Sequence, residues 1–338
     1  MRRQFLKGIG SLAATLSATR LAAGPAAAQG RSLVIAHQDQ PDWLMFVARD
    51  FKLFEKAGLA PTFVKFDGGP QMIEAMRQGS IDLASIGSVA FLMGLSQGLD
   101  WTMIGINPEG AYSQGLVVRR DSDIRTPGDL KGRRVGLLKG TNAEIGLLLM
   151  LRQHGIRLTQ ITVLNMSPDA QFTALQGGQI DAAMIWEPWM HLMTRAHGRV
   201  LDTEGNVGIY TNVDCYCVRR DWLMANRDKG LRFLRALAMA NDLVSKNHKV
   251  AYAAWAREVG FRESQAEAIY DVVPPPLIYE WTNPRYTYSL VKGGPLYQRL
   301  NFLSNYMATE RIIKQPVDLD DAMDMSLIAE VLKGKKPP

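Results

Sequence analysis

Residues 174–186 read ALQGGQIDAAMIW, and residues 75–87 read AMRQGSIDLASIG. Laid over each other with Gly79 on Gly178, both describe the end of a helix, a glycine stop, a short apolar strand and a loop. The match continues upstream. SLVIAHQ and RRVGLLKG are strands that end in polar loops, and FKLFEKAGL and LLMLRQHGI are helices that stop at a glycine. TFVKF and ITVLN are the next strands. The chain therefore carries two successive βαβαβ units about a hundred residues apart, one architecture used twice rather than an array of short repeats. Strands alternating with helices imply mainly parallel sheets covered on both faces.

A second echo marks the seams. GLVVRRDS carries Val118-Arg119-Arg120-Asp121, and CYCVRRDW carries Val218-Arg219-Arg220-Asp221. The expectation is an α/β chain of two lobes, with residues 31–117 and 215–338 forming lobe I and residues 118–214 forming lobe II. The two echoing strands would run side by side as a double crossing between them. After residue 221 the pattern is mostly helical, and those helices would return to lobe I. The proline-rich stretch VVPPPLIYEWTNPRY is expected to be a surface connection near the cleft rim.

At 338 residues, with 47% hydrophobic and 21% charged residues, the chain can build two real cores. Its formal charge of +6 comes largely from the N-terminus. Residues 1–28 hold Arg2, Arg3, Lys7 and Arg20 and no acid, which leaves 35 basic against 33 acidic residues. So balanced a body offers no electrostatic case for nucleic acid. MRRQFLKGIG, a short apolar segment and PAAAQG read as an export signal over residues 1–28, cleaved near Ala28/Gln29. Arg2 and Arg3 before Phe-Leu-Lys are similar to the twin-arginine type, with the general secretory route as the alternative. Cys215 and Cys217 read as small buried hydrophobes, not as a metal site.

In parallel sheets ligands bind beyond the carboxyl ends of the strands. The homologous ends Gly87-Ser88 and Trp186-Glu187 would then face each other. The first lets a ligand approach backbone amides; the second supplies a flat apolar wall and a charge. Glu187 reads equally as a helix-start residue, where an acid suits the dipole. The loop LLKGTNAEIG places Thr141, Asn142 and Ala143 at a helix start whose free amides form an anion site, with Lys139 beside it. AHQDQPDWLMF brings Gln38, Asp42 and Trp43 to the rim, with Asp42 an N-cap on the alternative reading. Asp82 and Asp181 read as structural, bonded to neighbouring backbone.

Taken in order, FEKAGL, GGPQMIEAMRQGSIDLASIG, GLVVRRDSDIRTPGDLKGRRVGLLKGT and LQGGQIDAAMIWEP resemble the solute-binding proteins of ABC importers for nitrate, sulfonates and taurine, with their thiamine-precursor relatives. The resemblance covers residues 33–220. It implies the two-lobed type II periplasmic-binding-protein fold, each lobe a sheet flanked by helices and joined by two hinge strands. It also implies a periplasmic monomer that captures a small organic anion or zwitterion and delivers it to an ABC permease driven by a cytoplasmic ATPase, without a cofactor. Carried over, the ligand-lining positions are Gln38, Ser88, Thr141, Asn142, Trp186 and Glu187. A thiamine-precursor pyrimidine, another heterocycle or an aromatic acid is the alternative solute. A biosynthetic enzyme on the same fold is the alternative of another class. The five histidines, at 37, 154, 191, 197 and 248, fall in no metal-binding spacing such as HExxH, and no nucleophile-elbow or phosphate-loop motif occurs.

Overall fold

A computed structural model describes residues 32–107, 110–208 and 213–335. The expected export signal at 1–28 lies outside the described residues. Among the described residues, ten strands form two five-stranded sheets. They are β1 (Val34–His37), β2 (Thr62–Lys65), β3 (Leu83–Gly87), β4 (Trp101–Asn107), β5 (Gln114–Arg119), β6 (Arg134–Leu137), β7 (Thr162–Asn165), β8 (Ala182–Trp186), β9 (Gly198–Thr203) and β10 (Asp214–Arg219). The first sheet runs β2-β1-β3-β10-β4 and the second β7-β6-β8-β5-β9. Position for position the two orders are the same, as the duplicated sequence requires.

The sheets are mixed. β1 pairs in parallel with β2 and β3, and β6 with β7 and β8. β10 is antiparallel to β3 and β4, and β5 to β8 and β9. Each antiparallel strand has crossed from the other half of the chain. β5 follows β4 but enters the second sheet; β10 follows β9 but enters the first. This corrects two expectations. The echoing strands do not lie side by side, and residues 114–117 belong to the second sheet with the rest of β5. The echo reflects equivalent seats in two sheets. Even the irregularity repeats, with register shifts between Tyr216 and Cys217 against β4 and between Leu116 and Val117 against β9.

The glycine stops have a physical reason. Gly79 has φ +69° and Gly178 φ +70°, a left-handed backbone that ends the preceding helix. The guanidinium of Arg219 lies over Gly79 and that of Arg119 over Gly178, with Nη1 2.9 and 2.7 Å from where a Cβ would sit. The aspartates that open each apolar strand serve the neighbouring strand. Asp82 accepts from the Val34 N–H at 2.9 Å and Asp181 from the Arg134 N–H at 2.8 Å.

The helices after β10, Arg220–Ala225, Arg227–Lys246, Lys249–Val259, Glu263–Tyr270, Pro295–Thr309 and Ser326–Leu332, enlarge the first lobe. Its core is one apolar cluster that includes Trp43, Phe54, Trp101, Tyr216, Phe233, Trp255 and Trp281. The proline-rich stretch is a surface connection only in part: Val272, Pro274, Leu277, Asn283, Pro284 and Arg285 are exposed, but its middle is anchored in the core. Ile278, Trp281 and Leu290 are fully buried, and Trp281 packs against Gly105 of β4. Trp281 O accepts from the Leu290 N–H at 2.8 Å, which folds the segment back on itself.

Candidate functional site

The carboxyl ends of the parallel strands of both sheets meet at a narrow cleft. Gln38, Gln40, Gly69, Gly87, Ala90 and Asp214 line it from the first lobe; Gln114, Thr141, Asn142 and Trp186 line it from the second. The lobes are drawn together, and the void between them is about 20 Å³, room for about one water. Outside it, Gln38 and Trp186 also border a vestibule of about 110 Å³ with Asp39, Lys65, Phe66 and Trp189.

Asn142, the first residue of the helix Asn142–Gln153, makes hydrogen bonds across the lobes. Its Oδ1 accepts from the Val89 N–H at 3.0 Å and from the Ser88 hydroxyl at 3.4 Å. Its Nδ2 donates to Val213 O at 3.5 Å and Asp214 Oδ1 at 3.4 Å. Gly87 makes room for this approach, because a Cβ there would stand 3.0 Å from the Asn142 amide. On the other flank, His191 Nε2 lies 3.2 Å from Gln265 Nε2, and the His191 ring sits 5.4 Å from that of Phe261.

Two buried carboxyls shape the electrostatics of the first lobe. Burial pushes Asp214 up to about 7; the nearby Asp42 carboxylate adds to the rise, and Gln40 and Asn142 oppose it. Burial likewise pushes Asp42 up to about 6, against hydrogen bonds from Tyr216, Ser85 and the Met45 N–H. In the second lobe burial pushes Glu187 up to about 7, opposed by the His191 N–H. Among the described residues that line the cleft, Asp214 is the one ionisable side chain.

The structure brings together Gln38, Gly87, Thr141, Asn142 and Trp186, and places Ser88 against Asn142. It keeps the other candidates apart. Asp42 caps the helix Trp43–Asp50, accepting from Met45 N at 3.3 Å and from the Ser85 hydroxyl at 2.7 Å. Trp43 is fully buried, donates to Val273 O at 2.7 Å and packs edge-on to Trp255 and Tyr270. Ala143 is buried in the apolar cluster of the second lobe. Lys139 is exposed and borders an outer depression with Leu158 and Val163. Glu187 turns to its own helix start, where Oε2 accepts from the His191 N–H at 2.9 Å. Thr141 holds the N-cap position without capping; its hydroxyl donates to Leu138 O at 2.6 Å.

Gln40, Gly69, Ala90, Gln114 and Asp214 escaped the sequence reading. For two of them a clue existed. Running the VVRRD/CVRRD echo back five residues from Arg119 and Arg219 reaches Gln114 and Asp214, the first residues of β5 and β10. Register then pairs Gln114 with Trp186 and Asp214 with Gly87, the two strand ends already singled out.

Comparison with known proteins places this geometry. A protein of Escherichia coli (strain K12) named for binding aliphatic sulfonates is 35% identical over 147 residues, 43% of this chain and 46% of the relative. The taurine-binding periplasmic protein of the same organism is 26% identical over 197 residues, 58% of this chain and 61% of the relative. The chain thus spans about half the length of the curated relatives it matches. Among solved structures, the periplasmic aliphatic sulphonate binding protein SsuA from Escherichia coli has a TM-score of 0.71 at 25% identity, over 88% of this chain and 99% of that one. The alkanesulfonate-binding protein SsuA from Xanthomonas axonopodis pv. citri, bound to MOPS, has a TM-score of 0.73 at 24% identity, over 89% and 97%. The desulfurization enzyme DSZB shares the fold at 16% identity and a TM-score of 0.66, over 90% of this chain and all of that one. The fold is thus the two-lobed one of periplasmic binding proteins. The family described as NMT1/THI5 like matches residues 43–251, more than half of the sequence, and the chain belongs to that family.

Proposed function

We propose that the chain is an extracytoplasmic solute-binding protein that encloses a small amine-bearing sulfonate between its lobes and delivers it to an ABC permease coupled to a cytoplasmic ATPase. The sulfonate and taurine relatives support the solute class. The observation that carries the choice within it is Asp214. Its carboxyl lines the cleft 3.4 Å from Asn142, at the start of the helix Asn142–Gln153. The N-terminal position and the dipole of that helix favour an anionic group. Asp214 disfavours a plain anion and favours a positive pole, so the two together suit a dipolar solute. Trp186 supplies an apolar wall for the carbons between the poles.

The reading is one of a binder and not of an enzyme. Burial pushes the Cys215 thiol well above its usual range, so it offers no ready thiolate nucleophile. Glu187 is committed to its helix start.

Calorimetric titration of the chain from Gln29 onward tests the proposal with taurine and ethanesulfonate, which differ by the amine. Taurine is expected to bind more than tenfold tighter, about 1.4 kcal/mol. Asp214→Asn should reverse that preference. Ethanesulfonate binding as tightly as taurine to the unaltered chain would sink the proposal. The pH dependence carries a sign. An ammonium beside Asp214 lowers its pKa, so taurine binding should weaken as pH falls below about 7.

A further inference from the structure

Gln40 sits in the loop after β1, 1% exposed, and lines the cleft. Its amide leans on the Asp214 carboxyl and helps keep it ionised, yet neither Oε1 nor Nε2 makes a hydrogen bond of ordinary geometry. Other buried side chains also leave a polar atom unpaired, among them Asn107, Gln171, Trp101 and Trp281. Gln40 is the one of them that lines the cleft, among the described residues. A buried primary amide with no well-formed hydrogen bond at either end is costly unless something completes it. Its position beside the cleft carboxyl says what could.

We infer that Gln40 is a specificity-determining residue for the solute's amine: with Asp214 it forms a subsite for the N–H donors of a primary ammonium. This deepens the proposed function and rests on it. Nε2, the donor, leans toward Asp214, which leaves Oε1 as an acceptor for the solute. A primary ammonium has three N–H donors, and one carboxylate and one amide carbonyl on the same wall take two of them. A quaternary ammonium has no N–H and is bulkier, so it satisfies neither acceptor. The subsite therefore selects by hydrogen bonding and not by charge alone, which is the kind of selection that discriminates strongly.

The test uses taurine, its N-methyl and N,N-dimethyl derivatives and its N,N,N-trimethyl analogue, with the unaltered chain and Gln40→Met. The unaltered chain should lose affinity at each methylation, at least a hundredfold across the series. Gln40→Met, of similar shape and without an amide, should bind taurine at least tenfold more weakly and flatten the series. Its unliganded Tm should stay equal or rise, because the substitution removes a buried amide that has no well-formed hydrogen bond. Gln40→Glu, which keeps an acceptor, should retain the preference for the primary amine. The inference is overturned if Gln40→Met binds taurine within twofold of the unaltered chain. It is also overturned if Gln40→Met loses affinity together with a lowered Tm, since that marks a structural role. If the unaltered chain binds no member of the series, the proposed function and this inference fall together.

Discussion

Asn142 Oδ1 on the second lobe lies 3.0 Å from the Val89 amide nitrogen on the first, and the bond is buried. With the lobes this close, the void in the cleft is too small for an organic sulfonate. On the proposed function, a solute would therefore enter only when this contact is open. Asn142 thus helps to hold the lobes together, with His191 and Gln265 on the other flank.

Asn142→Ala leaves the Val89 N–H without its cross-lobe acceptor in the closed form, a loss of about 1–3 kcal/mol. The variant should populate the open form in solution, with a larger radius of gyration by small-angle scattering and solute affinity at least tenfold weaker. A radius and affinity unchanged from the unaltered chain would mean that other contacts hold the lobes.

Trp186 ends β8, is 6% exposed and faces both the cleft and the vestibule. Trp186→Ala should weaken binding of taurine and ethanesulfonate alike, since on the proposed reading the ring covers the part they share. The same change should cost about 3–5 kcal/mol of stability, because the ring also belongs to the second lobe's core. If taurine affinity survives, the tryptophan is a core residue only.

Glu187 is pushed from its usual 4.5 up to about 7 by burial. The folded chain therefore holds a proton that the unfolded chain has lost between those values. The contribution of this group to stability must fall as pH rises from about 4.5 to about 7, and stay level above. Glu187→Gln keeps an acceptor for the His191 N–H and cannot ionise. It should raise stability at pH 8 relative to pH 4.5 by on the order of 2–3 kcal/mol. Denaturant melts at the two pH values check this, and a pH-independent effect would contradict it.

Gly79 and Gly178 share positive φ and an overlying arginine. Gly79→Ala and Gly178→Ala should each cost about 1–2 kcal/mol from backbone strain, with displacement of Arg219 or Arg119 adding to it. The two losses should be similar. Thermal melts of the single variants measure both.

The sequence by itself determined the duplicated βαβ units, their glycine stops, the structural aspartates and five cleft neighbours, Gln38, Gly87, Thr141, Asn142 and Trp186. These follow from hydrophobic period, left-handed glycine and the rule that strand ends gather ligands, all local in the chain. What only the tertiary structure decided is non-local. The proline-rich segment read as surface because its prolines and polar residues are local features, whereas the burial of Trp281 depends on β4 being there to receive it. Glu187 and Asp42 were each open between ligand and helix start, and the helix start won, because a backbone N–H lay within reach of each carboxyl. Asp214 and Gln114 reach the cleft because β10 and β5 cross into each other's half and lie antiparallel there. Sheet hydrogen bonding then sets residue 214 opposite residues 87 and 107, and residue 114 opposite residue 186. Partners so distant in sequence are chosen by which strand edge is left to pair, and that choice exists only once the sheets have formed.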